Sequence, residues 1–218
     1  MSLLYVKGGG IDLKGEEQLN EDIFIDKGTG YAVFDNKNNP TKRYFLEKRW
    51  KDEGEVLAVV MTNPSSATAL CSDKTVEFLM EYARFKGFAA LHIINIIPVI
   101  NGNSTIVSKI EKEKLEMHVL DEKSIHYIKT TIENADEIIL GWGSLGHKYF
   151  KYLIKEEKEV KVIFQDKMDV TFAFGFGAKD NFPKHPRPNN PDKYLFQKDS
   201  KVYCVKEKMG RWLGIKKK

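Results

Sequence analysis

The chain has 218 residues, of which 42% are hydrophobic and 30% charged, proportions that match a globular domain and exclude disordered, collagenous and coiled-coil chains. Its length suits a single α/β domain spanning 1–218. Thirty-five Lys plus Arg against thirty-one Asp plus Glu leave a formal charge of +4, which permits a polyanionic partner without arguing for one.

After a glycine-rich and acidic opening that includes Gly8, Gly9 and Gly10, the apolar runs Tyr31 to Phe34 and Arg43 to Leu46 flank a turn-forming Asp-Asn-Lys-Asn-Asn-Pro segment and predict a hairpin. Glu55 to Thr62 is a Val-rich apolar run, the pattern of a strand covered on both faces. Asp73 to Lys86 then has helical spacing through Val76, Leu79, Met80 and Ala83. The alternation continues with a strand over Ala89 to Val99, one or two helices over Val107 to Asn134, a strand over Asp136 to Trp142, a helix over His147 to Glu157 and a closing strand over Val160 to Phe164. Four strands alternating with helices predict right-handed crossovers and a three-layer α/β/α sandwich. Its central sheet is expected to be mainly parallel, of about four strands plus the N-terminal hairpin. Functional loops in such sheets lie outside the carboxyl ends of the strands, here just after Met61, Ile94 and Leu140. The polar, proline-rich stretch from Asp180 to Asp192 reads as a functional loop, and Lys201 to Val205 as an edge strand.

Four segments carry candidate chemistry. In Thr62-Asn63-Pro64-Ser65-Ser66, a strand-end turn offers the Asn63 amide to position a water, although Asn-Pro and Ser-Ser are also ordinary turn residues. Asn95 interrupts the apolar run Leu91 to Ile97, so its buried amide either ties down a neighbouring loop or reads the amide-like edge of a base. Gly141-Trp142-Gly143-Ser144-Leu145-Gly146 follows a strand and opens a helix, with Asp166 twenty residues past Gly146. It fits a dinucleotide fingerprint, or a tight turn presenting N–H groups to an anion. Finally, Lys179 to Pro188 holds His185 between Pro183 and Pro186 with Lys184 and Arg187 beside it, a stiff setting for an imidazole facing developing negative charge. His92 reads as a satisfied core or surface histidine, His118 and His126 as surface residues, and Phe172, Phe174 and Phe176 as one side of a half-buried strand.

Taken in order, Arg43-Tyr44-x-Leu46, Arg49-Trp50, Asn63-Pro64-Ser65, Asp73-x-Thr75, Asn95, Trp142-Gly143, Gly177-x-Lys179 and Pro183-x-His185-Pro186 resemble the domain-of-unknown-function family numbered 1643, small α/β proteins without an established activity. A more distant likeness is to the uracil-DNA glycosylase superfamily, through the strand-end Asn-Pro turn, the Asn ending the next strand, the Trp-Gly turn and the late His-Pro-x-Pro loop. That likeness implies catalytic roles for Asn63, which orients the attacking water, and His185, which stabilises the departing base. It also implies a base pocket of Pro64, Ser65, Ser66, Asn95, Trp142, Gly143 and Ser144, with Lys179, Lys184 and Arg187 on phosphates. The usual Gly-Gln-Asp-Pro-Tyr water-activating sequence, an aromatic directly after the Asn-Pro turn and an apolar wedge after Pro186 are missing.

The expected function is recognition of a nucleobase in a nucleotide or nucleic acid, single-stranded or modified, with hydrolysis of its N-glycosidic bond. The alternatives are a non-catalytic binding module and a small dinucleotide-dependent oxidoreductase. No cofactor is expected. Cys71 and Cys204 lack CxxC spacing and the histidines are isolated, so no metal is proposed and reduced thiols are expected. With no run of about eighteen apolar residues and no leader-like N-terminus, a cytoplasmic protein without a membrane partner is expected.

Overall fold

The computed structural model describes residues 24–28, 30–177, 182–186 and 201–215. The glycines at 8–10, Lys179, Arg187, most of the stretch from Asp180 to Asp192 and the terminal lysines lie outside the described residues.

Among the described residues the protein is an α/β structure on one mixed sheet. Strands β1 (Phe24–Gly28), β2 (Gly30–Phe34), β3 (Arg43–Arg49), β4 (Val56–Met61), β5 (Ala90–Asn95), β6 (Glu137–Gly141), β7 (Thr171–Ala173) and β8 (Tyr203–Cys204) are arranged in the order β1-β2-β3-β5-β4-β6-β7-β8. Only the pairings of β4 with β5, β4 with β6 and β6 with β7 are parallel; β1 with β2, β2 with β3, β3 with β5 and β7 with β8 run antiparallel. The sheet is therefore mixed rather than mainly parallel, because the expected hairpin joins it directly along β5 and the edge strand β8 turns back on β7. The strand expected over Val160 to Phe164 is helix instead. The last parallel strand is β7, three residues long and further along the chain.

The helices are α1 (Lys74–Lys86), α2 (Ser104–Val107), α3 (Lys112–Val119), α4 (Glu122–Glu133), α5 (Gly143–Glu156), α6 (Lys158–Asp166) and α7 (Lys206–Trp212). Asp73 caps α1, accepting from the backbone N–H groups of Thr75 and Val76, and Gly87 ends the helix at φ +94°, where a side chain would be strained. Val76, Phe78, Leu79, Tyr82 and Ala83 of α1 share one apolar cluster with Leu57, Val59, Met61, Leu91 and Ile93. The other cluster joins Ala58, Val60, Ile94, Ile138 and Leu140 to residues of α3, α4, α5 and α6 and to Met209 of α7. Because alternate strand residues face opposite sides, Asn95 shares the α1 face with Leu91 and Ile93.

The charged end of β3 is buried rather than solvated. Glu47 accepts from His92 Nε2 at 2.9 Å and from Arg49 Nε and a terminal guanidinium nitrogen at 3.1 and 2.9 Å. Burial alone would raise the Glu47 pKa, but the hydrogen bonds and charges of His92 and Arg49 outweigh it and hold the carboxyl below its ordinary 4.5. A carboxyl with a depressed folded-state value stabilises the fold fully above its unfolded value, and that contribution is lost as pH falls through the folded value. Urea midpoints measured from pH 7 down to 3 are expected to drop for the parent below about pH 4.5. Glu47→Gln, lower by about 3 kcal/mol at pH 7, is expected to show a flatter profile.

On the α1 face, Lys48 is only 1% exposed, and its Nζ donates to the Ala69 and Cys71 carbonyls at 2.7 and 3.4 Å. A terminal nitrogen of buried Arg43 donates to the Ala67 carbonyl at 2.7 Å. Burial pulls the Arg43 pKa down to about 10, against the opposing charge of Asp73. Two cations from β3 thus grip the loop that follows β4 through its carbonyl oxygens.

Candidate functional site

The chain passes from β4 to one neighbour, β5, and then back across to the other, β6, so loops leaving β4 and β6 diverge at the carboxyl end of the sheet. This is the topological switch point at which open α/β sheets bind ligands. Thr62 and Asn63 leave β4 there, Asn95 ends β5, and Gly141 to Gly143 end β6.

Two bridges knit these ends together. The Thr62 hydroxyl donates to the Trp142 carbonyl in a short bond, and the N–H groups of Ile96 and Ile97 donate to the Met61 and Thr62 carbonyls at 3.0 and 2.9 Å. The Asn63 Nδ2 donates to the Asn101 carbonyl at 2.7 Å and to the Pro64 carbonyl at 3.3 Å, while the Asn101 N–H donates to the Pro64 carbonyl at 2.8 Å. The NH2 of Asn63 is therefore spent on anchoring its turn, and none of the described residues donates to its Oδ1. Ser65 donates to the Asp73 carboxylate in a second short bond, tying the turn to the α1 cap. With its proton on a capping carboxylate and no histidine bonded to it, Ser65 is placed as a brace and not as a nucleophile.

Asn95 is 3% exposed, and among the described residues neither Nδ2 nor Oδ1 has a hydrogen-bond partner. Of its two expected roles, a tie to a neighbouring loop is absent among the described residues. An unpaired buried polar group costs about 1–3 kcal/mol, so this amide is a donor and an acceptor held unused inside the site.

The segment 182–186 docks on the end of β6. The Gly143 N–H donates to the Pro183 carbonyl at 2.9 Å, Lys184 N–H donates to Gly175 O at 2.9 Å, and Gly177 N–H donates to Phe182 O at 2.8 Å. A methyl placed on Gly141 would lie 2.7 Å from Pro186 Cδ, and one on Gly146 would lie 2.5 Å from Trp142 Cβ. The dinucleotide-like glycines thus serve close packing, and the N–H of Gly143, which adopts φ +60°, is already engaged. Asp166, expected after a strand, instead ends helix α6. Gly141→Ala is expected to lift the His185 segment off the strand, costing about 1–3 kcal/mol, to be read as a lowered thermal midpoint together with weakened ligand affinity.

Lys184, His185 and Ser144 are exposed, and Trp142 is fully buried against Phe150 at 4.4 Å between ring centres, with Nε1 unpartnered. Trp142 is accordingly part of the core packed with Phe150 and Phe164 and presents no exposed surface to a ligand. Pro64, Ser65, Ser66 and Asn63 lie together on the turn after β4; Gly143, Ser144 and His185 lie together at β6. Lys179 and Arg187 lie outside the described residues.

Sequence patterns gave no sign of two features. A cavity of about 280 Å³ beside the Asn63 turn is lined by Phe34, Lys37, Pro40, Ser65, Ser66, Ala67, Thr68 and Ile100. The turn 35–40 carries only loop residues, with nothing to mark it as part of a site. His147 on α5 is buried against Trp212 at 5.0 Å with neither ring nitrogen partnered among the described residues, and burial, followed by the charge of Lys151, lowers its pKa to about 4. Among the described residues, no group of three or more His, Cys, Asp or Glu is placed to hold a metal ion, and no helix is long and apolar enough to cross a membrane.

The fold defines an α/β protein whose candidate residues sit on loops at the carboxyl ends of its central strands. Residues 43–187 match the model of a family described as a protein of unknown function, DUF1643. That match covers more than half of the chain, which therefore belongs to this family. No curated protein and no solved structure shows a significant match.

Proposed function

We propose that this chain recognises a nucleobase-containing ligand, a nucleotide or a nucleic acid that is single-stranded or modified, and hydrolyses its N-glycosidic bond in the cytoplasm. The observation that carries the reading is Asn95, a buried amide whose donor and acceptor are both unspent at the carboxyl end of a central strand. A base edge presenting one acceptor and one donor satisfies both atoms at once. In this reading the helices on either face of the sheet form the outer layers of a glycosylase-like three-layer arrangement.

Asn63 Oδ1 orients a water toward the anomeric carbon. The water oxygen bonds to that carbon as the carbon–nitrogen bond breaks, the bonding electrons pass to the base, and the water's proton leaves to solvent. His185 donates to the base as negative charge builds on it, a contribution worth several kcal/mol when the donor is held in place. Lys184 supports the adjacent phosphate.

The test is base release by the purified chain from uracil-, hypoxanthine- and alkylated-base-containing single strands, duplexes and free nucleosides, with Asn63→Ala and His185→Ala as controls. Release by the parent that both variants lose supports the reading. Release that both variants retain overturns this assignment of residues, and silence of the folded parent across the panel overturns the hydrolysis.

One observation favours a non-catalytic binding module as the second reading: the Asn63 NH2 is fully committed to holding its own turn. That reading predicts saturable ligand binding that survives Asn63→Ala, with no turnover by the parent. The oxidoreductase reading lacks such support, since the Gly143 N–H is bonded to Pro183.

A further inference from the structure

Arg43 is as buried as Asn95, at 3% exposed, yet among the described residues it forms no ion pair. One terminal nitrogen holds the Ala67 carbonyl, and among the described residues Nε has no partner. The opposing charge that acts on it is Asp73, whose carboxylate is already occupied in capping α1 and in accepting from Ser65. Buried charges are ordinarily paired, because taking a cation out of water without a counter-ion is costly. A guanidinium left in this state is complementary to an anion that the free protein does not supply.

The sheet sets it beside Asn95. β3 runs antiparallel to β5, so Arg43, the first residue of β3, lies at the end of the sheet where Asn95 ends β5, and the Arg43 N–H donates to the Pro98 carbonyl at 3.0 Å. Both side chains belong to the α1 face. Arg43 is the cross-strand partner of Phe34, and Asn95 alternates with Leu91 and Ile93; Phe34, Leu91 and Ile93 are members of one cluster. The strand order β3-β5-β4-β6 then places Arg43, Asn95, Asn63 and the segment of His185 in a row along one edge, each strand step being about 4.8 Å. Ala67, whose carbonyl accepts from Arg43, also lines the cavity of about 280 Å³, so the guanidinium is bonded to the wall of an open space.

We propose that Arg43 and Asn95 form one base subsite, in which the Asn95 amide pairs with the base edge and Arg43 Nε donates to the ring oxygen that becomes negative as the base departs. The inference rests on the nucleobase reading of Asn95 and adds Arg43 to it. As the carbon–nitrogen bond breaks, its electron pair enters the ring and the charge spreads to the ring oxygen. Arg43 meets that oxygen with a hydrogen bond, and no proton is transferred. The cation is unpaired in the free protein and remains unpaired beside a neutral base; it is neutralised only as the anion forms. Stabilisation of that kind is greater in the transition state than in the ground state, which is what lowers a barrier. Arg43 and His185 then stand at the two ends of the row, on the β3 and β6 sides of Asn95.

The experiment titrates the full chain by calorimetry at neutral pH with two pairs of free bases, uracil with 5-nitrouracil and hypoxanthine with urate. The first member of each pair is neutral there and the second is anionic. For the ring class that binds, the parent is expected to hold the anionic member tighter by about 10-fold, the difference between a charge-assisted and a neutral hydrogen bond. Arg43→Gln removes the charge while keeping a donor for the Ala67 carbonyl, and the preference is expected to disappear. Arg43→Lys keeps the charge and is expected to keep the preference. A loop merely loosened by either change would weaken both members of a pair and leave their ratio as it was. Should Arg43→Gln fail to fold, Arg43→Met, which fills the site without a polar group, is expected to give the same loss of preference. Equal binding of both members by the parent, or a preference that survives removal of the charge, overturns the role of Arg43; loss of all base binding in Asn95→Leu then leaves the Asn95 reading standing. A folded parent that binds no base, neutral or anionic, overturns both.

Discussion

Asn95→Leu is expected to raise the thermal midpoint and to abolish ligand binding in the same variant. The parent holds two amide atoms inside the α1 face without partners among the described residues. Leucine keeps the branched four-atom skeleton of asparagine and brings no polar group, so the variant recovers the desolvation penalty of about 1–3 kcal/mol and gains apolar contact with Met61 and Ile93. If the amide serves a ligand, its loss removes a donor and an acceptor together, and affinity is expected to fall by about two orders of magnitude, equivalent to some 3 kcal/mol. Stability gained where binding is lost marks a residue kept for function. A variant that melts lower while binding as before would show instead that Asn95 is a packing residue, and differential scanning fluorimetry beside titration calorimetry separates the two.

The second large effect is expected at Asn63. Asn63→Ala removes the water-orienting oxygen, and base release is expected to fall by about 10²-fold, the loss that misplacing a reacting group by about 1 Å brings. The same change deletes the anchor to the Asn101 carbonyl, so some loss of turnover would follow from a loosened turn alone. Asn63→Asp separates the contributions, because it keeps an acceptor oxygen for the water while giving up the Nδ2 donor. If orientation of the water dominates, Asn63→Asp retains most of the rate that Asn63→Ala loses; if the anchor dominates, both fall alike. Single-turnover rates at saturating substrate read the difference directly.

Much of the sheet was legible because its central strands are long and apolar. Val56 to Met61 is an unbroken hydrophobic run and Ala90 to Asn95 is apolar but for His92 and Asn95, and the site turns follow from where those runs stop. The fourth parallel strand was not legible. Val160 to Phe164 is short, and the buried pair Val160 and Phe164 is also spaced four apart, so periodicity cannot tell strand from helix there. The true strand, Thr171 to Ala173, is too short to leave a pattern. The full length of β3 was hidden for a different reason. Glu47, Lys48 and Arg49 read as a polar strand end, whereas tertiary partners bury the first two. In the site, the polar residues of the turns announced themselves, since amides and hydroxyls at strand ends are uncommon inside apolar surroundings. Phe34 and Lys37 did not, because an aromatic ending a strand and a lysine in a turn are both ordinary until three distant segments are seen to enclose one space.

The grip of Arg43 and Lys48 on the loop after β4 also bears on how the molecule should come apart. Their acceptors are mainly peptide carbonyls, which carry no proton to gain between neutral and acid pH, so titration does not loosen the Lys48 hold. Across the same strand, Glu47 depends on staying ionised to keep His92 and Arg49 in place. Acidification therefore acts on β3 first through Glu47: amide exchange in this strand should quicken first beneath α4, while the carbonyl contacts of Lys48 persist.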